Sequence, residues 1–150
     1  KIRFVCVGTG PDTYKDELRK YSGSIGIDEE VEWIDRSNDI RRIYASCDFI
    51  VSSSAFGEGS SNVICEAMSC GLPCVVTDVG DSALLVGEGG IVVPPSNAGM
   101  LADGCQRVID MDNEQRRSMG NVGRKRIIEH FSLNKVIDQY EHFYRSIIVN

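Results

Sequence analysis

The chain has 150 residues, 42% hydrophobic and 25% charged, enough for one core and in keeping with a single domain. Acidic residues outnumber basic ones, 22 to 16, and the resulting net charge of -6 argues against a general nucleic-acid binder, which needs a basic footprint. No apolar run approaches membrane-spanning length, and no signal peptide is visible.

In chain order, residues 2–7 read as a buried strand that ends in Gly8-Thr9-Gly10-Pro11. A dinucleotide-binding fingerprint would need a third glycine where Thr13 stands, so a tight turn is the better reading. Asp12 is placed to cap the helix that follows, in which Tyr14, Leu18 and Tyr21 recur at helical spacing. Residues 31–34 form a short strand containing Trp33. Asp35-Arg36-Ser37 then leads into a helix capped by Asn38, with Ile40, Ile43 and Tyr44 on its inner face. Arg36, Arg41 and Arg42 suit a phosphate, although a solvated helix face accounts for them more simply.

The central stretch begins with another buried strand, residues 48–53, rich in β-branched side chains. A small-residue loop follows, then a helix from Asn62 to Met68 that stops at Gly71, then a second buried strand opened by Pro73. In open α/β sheets the loop after a strand is where ligands bind. Glu58 lies in that loop and Glu66 lies in the helix, with seven residues between them. Ser61, Asn62 and Val63 begin the helix, so their backbone N–H groups are unpaired and the helix dipole favours an anion there. Carboxylates accept hydrogen bonds from vicinal hydroxyls, which a ribose and a hexose both offer. The arrangement suits a nucleotide sugar: pyrophosphate on the helix start beside Gly59, ribose at Glu66 and transferred sugar near Glu58.

Residues 74–77 form the next strand, and the loop after it, Asp78-Val79-Gly80-Asp81-Ser82, belongs to the same sheet edge as Glu58. Asp81 serves equally well as a donor contact or as the cap of a helix over residues 82–86. Gly89-Gly90 precedes a last short strand, residues 91–93, closed by Pro94-Pro95. The remainder is helical, with Met100, Leu101, Cys105, Val108 and Ile109 on one face. Asp110-Met111-Asp112 copies an Asp-x-Asp metal motif, but it ends a helix and Asp112 or Asn113 better caps the next one. Arg116, Arg117, Arg124, Lys125 and Arg126 read as a solvated face, with anionic lipid as the functional alternative. In the last helix Tyr140, Phe143 and Ile147 lie along one side. The six cysteines form no C-x-x-C pair and there are two histidines, so buried free thiols in a reducing cytoplasm are expected, with no zinc.

Several of these stretches carry a family resemblance. Glu58-Gly59, Asn62-Val63 and Glu66-Ala67-Met68-Ser69-Cys70-Gly71-Leu72-Pro73 resemble the paired-glutamate signature of the retaining family 4 glycosyltransferases of GT-B fold. Thr77-Asp78-Val79-Gly80-Asp81-Ser82-Ala83, Val92-Val93-Pro94-Pro95 and Phe131-Ser132-Leu133 are similar to the same family, so the resemblance covers nearly the whole chain. It implies a Rossmann-like, doubly wound parallel sheet, the C-terminal half of a GT-B enzyme, with closing helices over about residues 113–148. It implies transfer of a sugar from a UDP-, GDP- or ADP-sugar to a glycan or lipid-linked acceptor, with retention and with no cofactor or obligate metal. Glu58 would then orient the donor sugar and stabilise positive charge at its ring. Gly59, Ser61, Asn62, Val63 and Glu66 would bind the nucleotide, joined by Gly10, Arg36, Gly80 and Asp81. Many relatives have two glycines and a glutamate where this sequence has Gly80-Asp81 and later Leu84, and an aromatic residue where it has Ser60.

The resemblance further implies a preceding segment with an arginine and a lysine for the diphosphate, an N-terminal acceptor domain, and a cytoplasmic location at the inner membrane face. Its first strand would lie between those at residues 2–7 and 48–53. Without it, these two strands are expected to pair directly, or else a homodimer supplies the pairing. The alternative of another class is a non-catalytic nucleotide-sugar binding module or partner subunit.

Overall fold

A computed structural model describes residues 1–148, and the chain divides into two compact units, residues 1–40 and 41–150. The first unit holds β1 (Phe4–Val7), α1 (Asp12–Ser24), a 3-10 turn (Asp28–Glu30) and β2 (Val31–Ile34). Its two strands pair in parallel, Phe4 with Val31 through Val7 with Ile34, and α1 makes the crossover that parallel pairing requires. Asp12 is the first residue of α1 and Pro11 occupies the capping position, so the helix starts without the side-chain cap expected of Asp12. Tyr14 and Tyr21 are exposed, and Leu18 is half-buried.

The second unit runs α2 (Ile40–Ser46), β3 (Ile50–Ser52), α3 (Asn62–Ser69), β4 (Cys74–Thr77), α4 (Ser82–Val86), β5 (Gly90–Val93), α5 (Ala98–Ile109), α6 (Asn113–His130) and α7 (Leu133–Ile148). Strands β3, β4 and β5 form a parallel sheet in that order, with Ile50 opposite Cys74 and Cys74 opposite Gly90. Strand β4 is buried along its whole length, as the middle strand of a parallel sheet covered on both faces should be. Val75 faces α5 in a cluster with Ile91, Val93 and Val108, against which Phe49, Leu101 and Cys105 pack. Ile64, Met68, Leu85 and Val86 of α3 and α4 are fully buried elsewhere in the core.

The two sheets correct one expectation. Of the two ways to make up for a strand missing between them, direct pairing of β1 with β3 is not found, since they belong to separate sheets. Both keep apolar side chains in the open, with Phe4 48% and Val51 43% exposed. Each of the two strands is paired along one edge only, β1 with β2 and β3 with β4.

Helix α6 is held by close backbone approach. A Cβ on Gly120 would collide with the carbonyl oxygen of Gly71, so only glycine allows this helix so near the end of α3. Its start carries a full capping box: the Asp112 carboxylate accepts from Gln115 N–H at 2.8 Å, and the Gln115 side chain accepts from Asp112 N–H at 2.9 Å. The expected solvated basic face is only partly that. Arg116 donates to the Met111 carbonyl at 2.5 Å beyond the end of α5, and Arg126 donates to the Leu84 carbonyl at 2.6 Å near the end of α4. Carbonyls at a helix C-terminus lack intrahelical partners, and a guanidinium supplies several donors at once. Arg117, Arg124 and Lys125 remain exposed. No helix among the described residues is long and apolar enough to cross a membrane.

Candidate functional site

The site is built where β3 and β4 end. Thr77, the last residue of β4 and 4% exposed, donates its hydroxyl proton to the Ser54 carbonyl at 2.6 Å, with the Ser52 carbonyl 3.3 Å away. This ties down the segment leaving β3. Ser54 in turn donates its hydroxyl to Glu58 Oε1 at 2.7 Å. A hydrogen bond of that length to a carboxylate holds the side chain in place through Oε1. Glu58 is half-buried, as a group that must be both placed and reachable should be.

The loop after β4 closes on the same segment. Asp81 N–H donates to the Gly59 carbonyl at 3.1 Å, next to the glutamate. Gly80 adopts φ +57°, and a Cβ there would collide with the Glu58 carbonyl and lie 2.6 Å from the Gly59 carbonyl. A glycine is therefore required by both conformation and contact. The Asp81 side chain makes no capping bond to α4, so the helix-cap reading is not realised, and the carboxylate is exposed.

Helix α3 begins at Asn62, one residue later than a start at Ser61 would have it. Ser61 is the buried capping residue, but its side chain makes no capping bond. The first amides of α3, those of Asn62 and Val63, consequently keep their capacity to donate to an anion. Its other end closes as expected at Gly71, whose N–H donates to the Met68 carbonyl at 2.9 Å while Leu72 N–H donates to Ala67 at 3.1 Å. Glu66 lies one turn into α3 and is exposed, and its Oε2 accepts a hydrogen bond from the Tyr44 phenol at 3.1 Å.

Glu58, Gly59, Ser61, Asn62, Val63, Glu66, Gly80 and Asp81 thus share the second unit, on α3 and on the loops that follow β3 and β4. Gly10 and Arg36 belong to the first unit. Gly10 lines an open cleft of about 290 Å³ at the ends of β1 and β2, with Trp33 and Asp35 in its wall. Lys15 also lines it and donates to Asp35 at 3.3 Å, which holds the ammonium pKa above its ordinary value. Arg36 is exposed, and its neighbour Asp35 contributes to the lining in its stead.

Three residues that the sequence did not single out as functional hydrogen-bond to the candidate residues or to the segment that carries them: Ser54, Thr77 and Tyr44. Ser54 sits in an undistinguished serine run, and Tyr44 shows only the spacing of a core residue. The thiols are also less uniform than expected. Cys74 alone is buried, Cys6 and Cys70 are exposed, and all six are free. Burial pushes the Cys74 thiol up to about 12. Among the described residues no cluster of histidine, cysteine, aspartate and glutamate could hold a metal ion.

Comparison with known proteins places this geometry. Residues 1–111 match the family model described as glycosyl transferases group 1. The chain is 26% identical over 148 residues to the N-acetyl-alpha-D-glucosaminyl L-malate synthase of Bacillus anthracis, covering 97% of this chain and 38% of that protein. It is 28% identical over 149 residues to the UDP-Gal:alpha-D-GlcNAc-diphosphoundecaprenol alpha-1,3-galactosyltransferase of Escherichia coli, covering 98% of this chain and again 38% of the relative. Among solved structures it superposes on Anabaena HepE in complex with UDP, with a TM-score of 0.88 at 25% identity, over 97% of this chain and 41% of that one. The α/β fold with parallel sheets is accordingly that of the GT-B glycosyltransferases, and the chain spans about two-fifths of the length of these relatives.

Proposed function

This chain belongs to the group 1 glycosyl transferases, and we propose that it is the donor-binding part of a retaining enzyme that uses a nucleotide-diphosphate sugar. The observation that carries the reading is the juxtaposition of a fixed, half-buried Glu58 with the uncapped start of α3. The diphosphate rests on the first amides of α3, where backbone donors and the helix dipole meet its negative charge. Glu66 accepts from the ribose hydroxyls. Glu58, held through Oε1 by Ser54, presents Oε2 to the transferred sugar and stabilises the positive charge that develops on its ring. Charge on the leaving diphosphate is met by the helix start and by basic groups, so the reading assigns no metal a role. Gly80 and Asp81 close the wall beside Glu58.

The HepE structure contains UDP, and the Escherichia coli relative is named for a UDP-sugar donor and a diphosphoundecaprenol-linked acceptor. We extend to this chain a UDP-, GDP- or ADP-sugar donor and a glycan or lipid-linked acceptor presented at the inner face of a membrane. The acceptor is bound by a further, N-terminal domain of the whole protein. The test is a thermal-shift panel with UDP, GDP and ADP. One of the three at 100 times its dissociation constant should stabilise the protein by about 2.7 kcal/mol. Slow hydrolysis of the matching nucleotide sugar should be lost in Glu58→Gln. No shift with any of the three would overturn the assignment.

A further inference from the structure

Tyr44 and Glu66 stand 22 residues apart, on α2 and α3, and meet through a single hydrogen bond of 3.1 Å from the phenol to Oε2. Their surroundings are opposite. Tyr44 is 6% exposed and its ring is fixed by burial, whereas Glu66 is exposed and has several rotamers open to it. Glu66 Oε2 thus has a buried aromatic residue as its donor. Burial first, and the neighbouring Glu66 charge second, push the phenol's pKa above its ordinary value, so it stays protonated and remains a donor.

We propose that Tyr44 is the positioning residue of the nucleotide site: its phenol holds Glu66 Oε2 so that Oε1 is presented to the ribose hydroxyls. The inference rests on the donor-binding reading above, since it takes the ribose as the partner of Glu66. A carboxylate fixed in advance loses less rotamer freedom when the ligand arrives, and its acceptor is aimed before binding. The phenol also takes up part of the acceptor capacity of Oε2, which leaves Oε1 as the freer oxygen for the ligand. A ligand that lacks ribose hydroxyls has nothing to offer that oxygen, so Tyr44 governs discrimination between ribose and its deoxy forms without touching the ligand.

Calorimetric titration of the wild type and Tyr44→Phe with UDP, GDP and ADP, and with the 2′,3′-dideoxy form of each, decides the matter. For the nucleotide that binds, Tyr44→Phe should weaken the ribose form about three- to tenfold and leave the dideoxy form unchanged. Equal weakening of both forms shows a merely structural tyrosine and overturns the proposal, as does no weakening of either. A second measurement needs no ligand: a double-mutant cycle of Tyr44→Phe and Glu66→Ala followed by urea unfolding. Coupling between the two is expected, and additivity overturns the contact itself. If the wild type binds none of the three nucleotides, it is the donor-binding reading that falls. The cycle alone then establishes or removes Tyr44 as the holder of Glu66.

Discussion

At Glu66 one side chain serves two neighbours, and substitutions there separate them. On the proposed reading Glu66→Ala deletes the acceptor for the ribose, and it should weaken nucleotide binding by roughly 1.5–3 kcal/mol, the range for hydrogen bonds to a charged group. It also orphans the buried Tyr44 phenol, which should lower folding stability by about 1–3 kcal/mol. Glu66→Gln keeps an acceptor for the phenol, so its stability should stay nearer the wild type, as chemical denaturation will show. Glu58 should behave differently, because the proposed reading sets it against the sugar and not the nucleotide. Glu58→Gln should leave nucleoside-diphosphate affinity nearly intact, while turnover by the whole enzyme falls strongly, since the lost charge matters most in the transition state. Lost diphosphate binding with normal transfer would exchange the two roles. Cys74 supplies a pH dependence. Its thiol is neutral in the fold up to about 12 but ionises near 9.0 when exposed by unfolding. The stability it contributes is complete below pH 9.0 and is lost as pH rises toward about 12, at roughly 1.4 kcal/mol per pH unit within that window. Urea midpoints at pH 8 and pH 10 should therefore differ less in Cys74→Ala than in the wild type.

Elements are joined here by side chains that satisfy helix ends. Arg126 reaches from α6 to the carbonyls of Leu84 and Leu85, at 2.6 and 3.1 Å, and its guanidinium lies 5.8 Å from the centre of the Phe131 ring. Arg126→Ala should cost about 1–3 kcal/mol, whereas the exposed Arg124→Ala should stay within about 0.5 kcal/mol. Equal urea midpoints for the two variants would return Arg126 to the solvated face on which its sequence pattern placed it. Gly80 joins the loop after β4 to the loop bearing Glu58. Gly80→Ala must push apart two backbone segments that the Asp81 N–H to Gly59 bond holds at 3.1 Å. We expect a stability loss of about 1–3 kcal/mol together with loss of slow donor hydrolysis, because the carbonyl displaced belongs to Glu58 itself. Intact hydrolysis in a folded Gly80→Ala protein would separate this loop from the chemistry.

For the molecule as a whole, length is the governing fact. The chain spans 38% of the length of the Bacillus anthracis and Escherichia coli relatives, and the proposed reading assigns its Glu58 site to the donor and not to the acceptor. The 150-residue chain assayed alone should therefore bind its nucleotide weakly and show no robust transfer from UDP-, GDP- or ADP-sugars to any acceptor. Robust transfer in a chromatographic product assay would contradict this. The open apolar strands β1 and β3 belong to the same scale: each satisfies one neighbour only, and their exposed side chains offer surface that this chain does not cover.

Much of the fold and half of the site's logic could be read along the chain. The apolar run that Pro73 opens predicts β4 to the residue, because a strand buried on both faces needs an unbroken apolar sequence. The bounds of β2 are also those read from the sequence, although Glu32 interrupts its apolar run. The interval from Glu58 to Glu66 places one carboxylate before the start of α3 and the other one turn inside it, which local helix geometry alone dictates. Asp112 was likewise legible as a cap, since its partner Gln115 lies three residues on. What sequence could not supply were the long-range partners. The Tyr44 phenol on Glu66, the Thr77 hydroxyl on the Ser54 carbonyl, Arg126 on the end of α4 and the division of five strands into two sheets all join residues or strands far apart in the chain. No periodicity encodes such pairs: they form only after crossover helices have brought separate strand ends and helix ends within hydrogen-bonding distance, and burial there forces each polar group to find a partner.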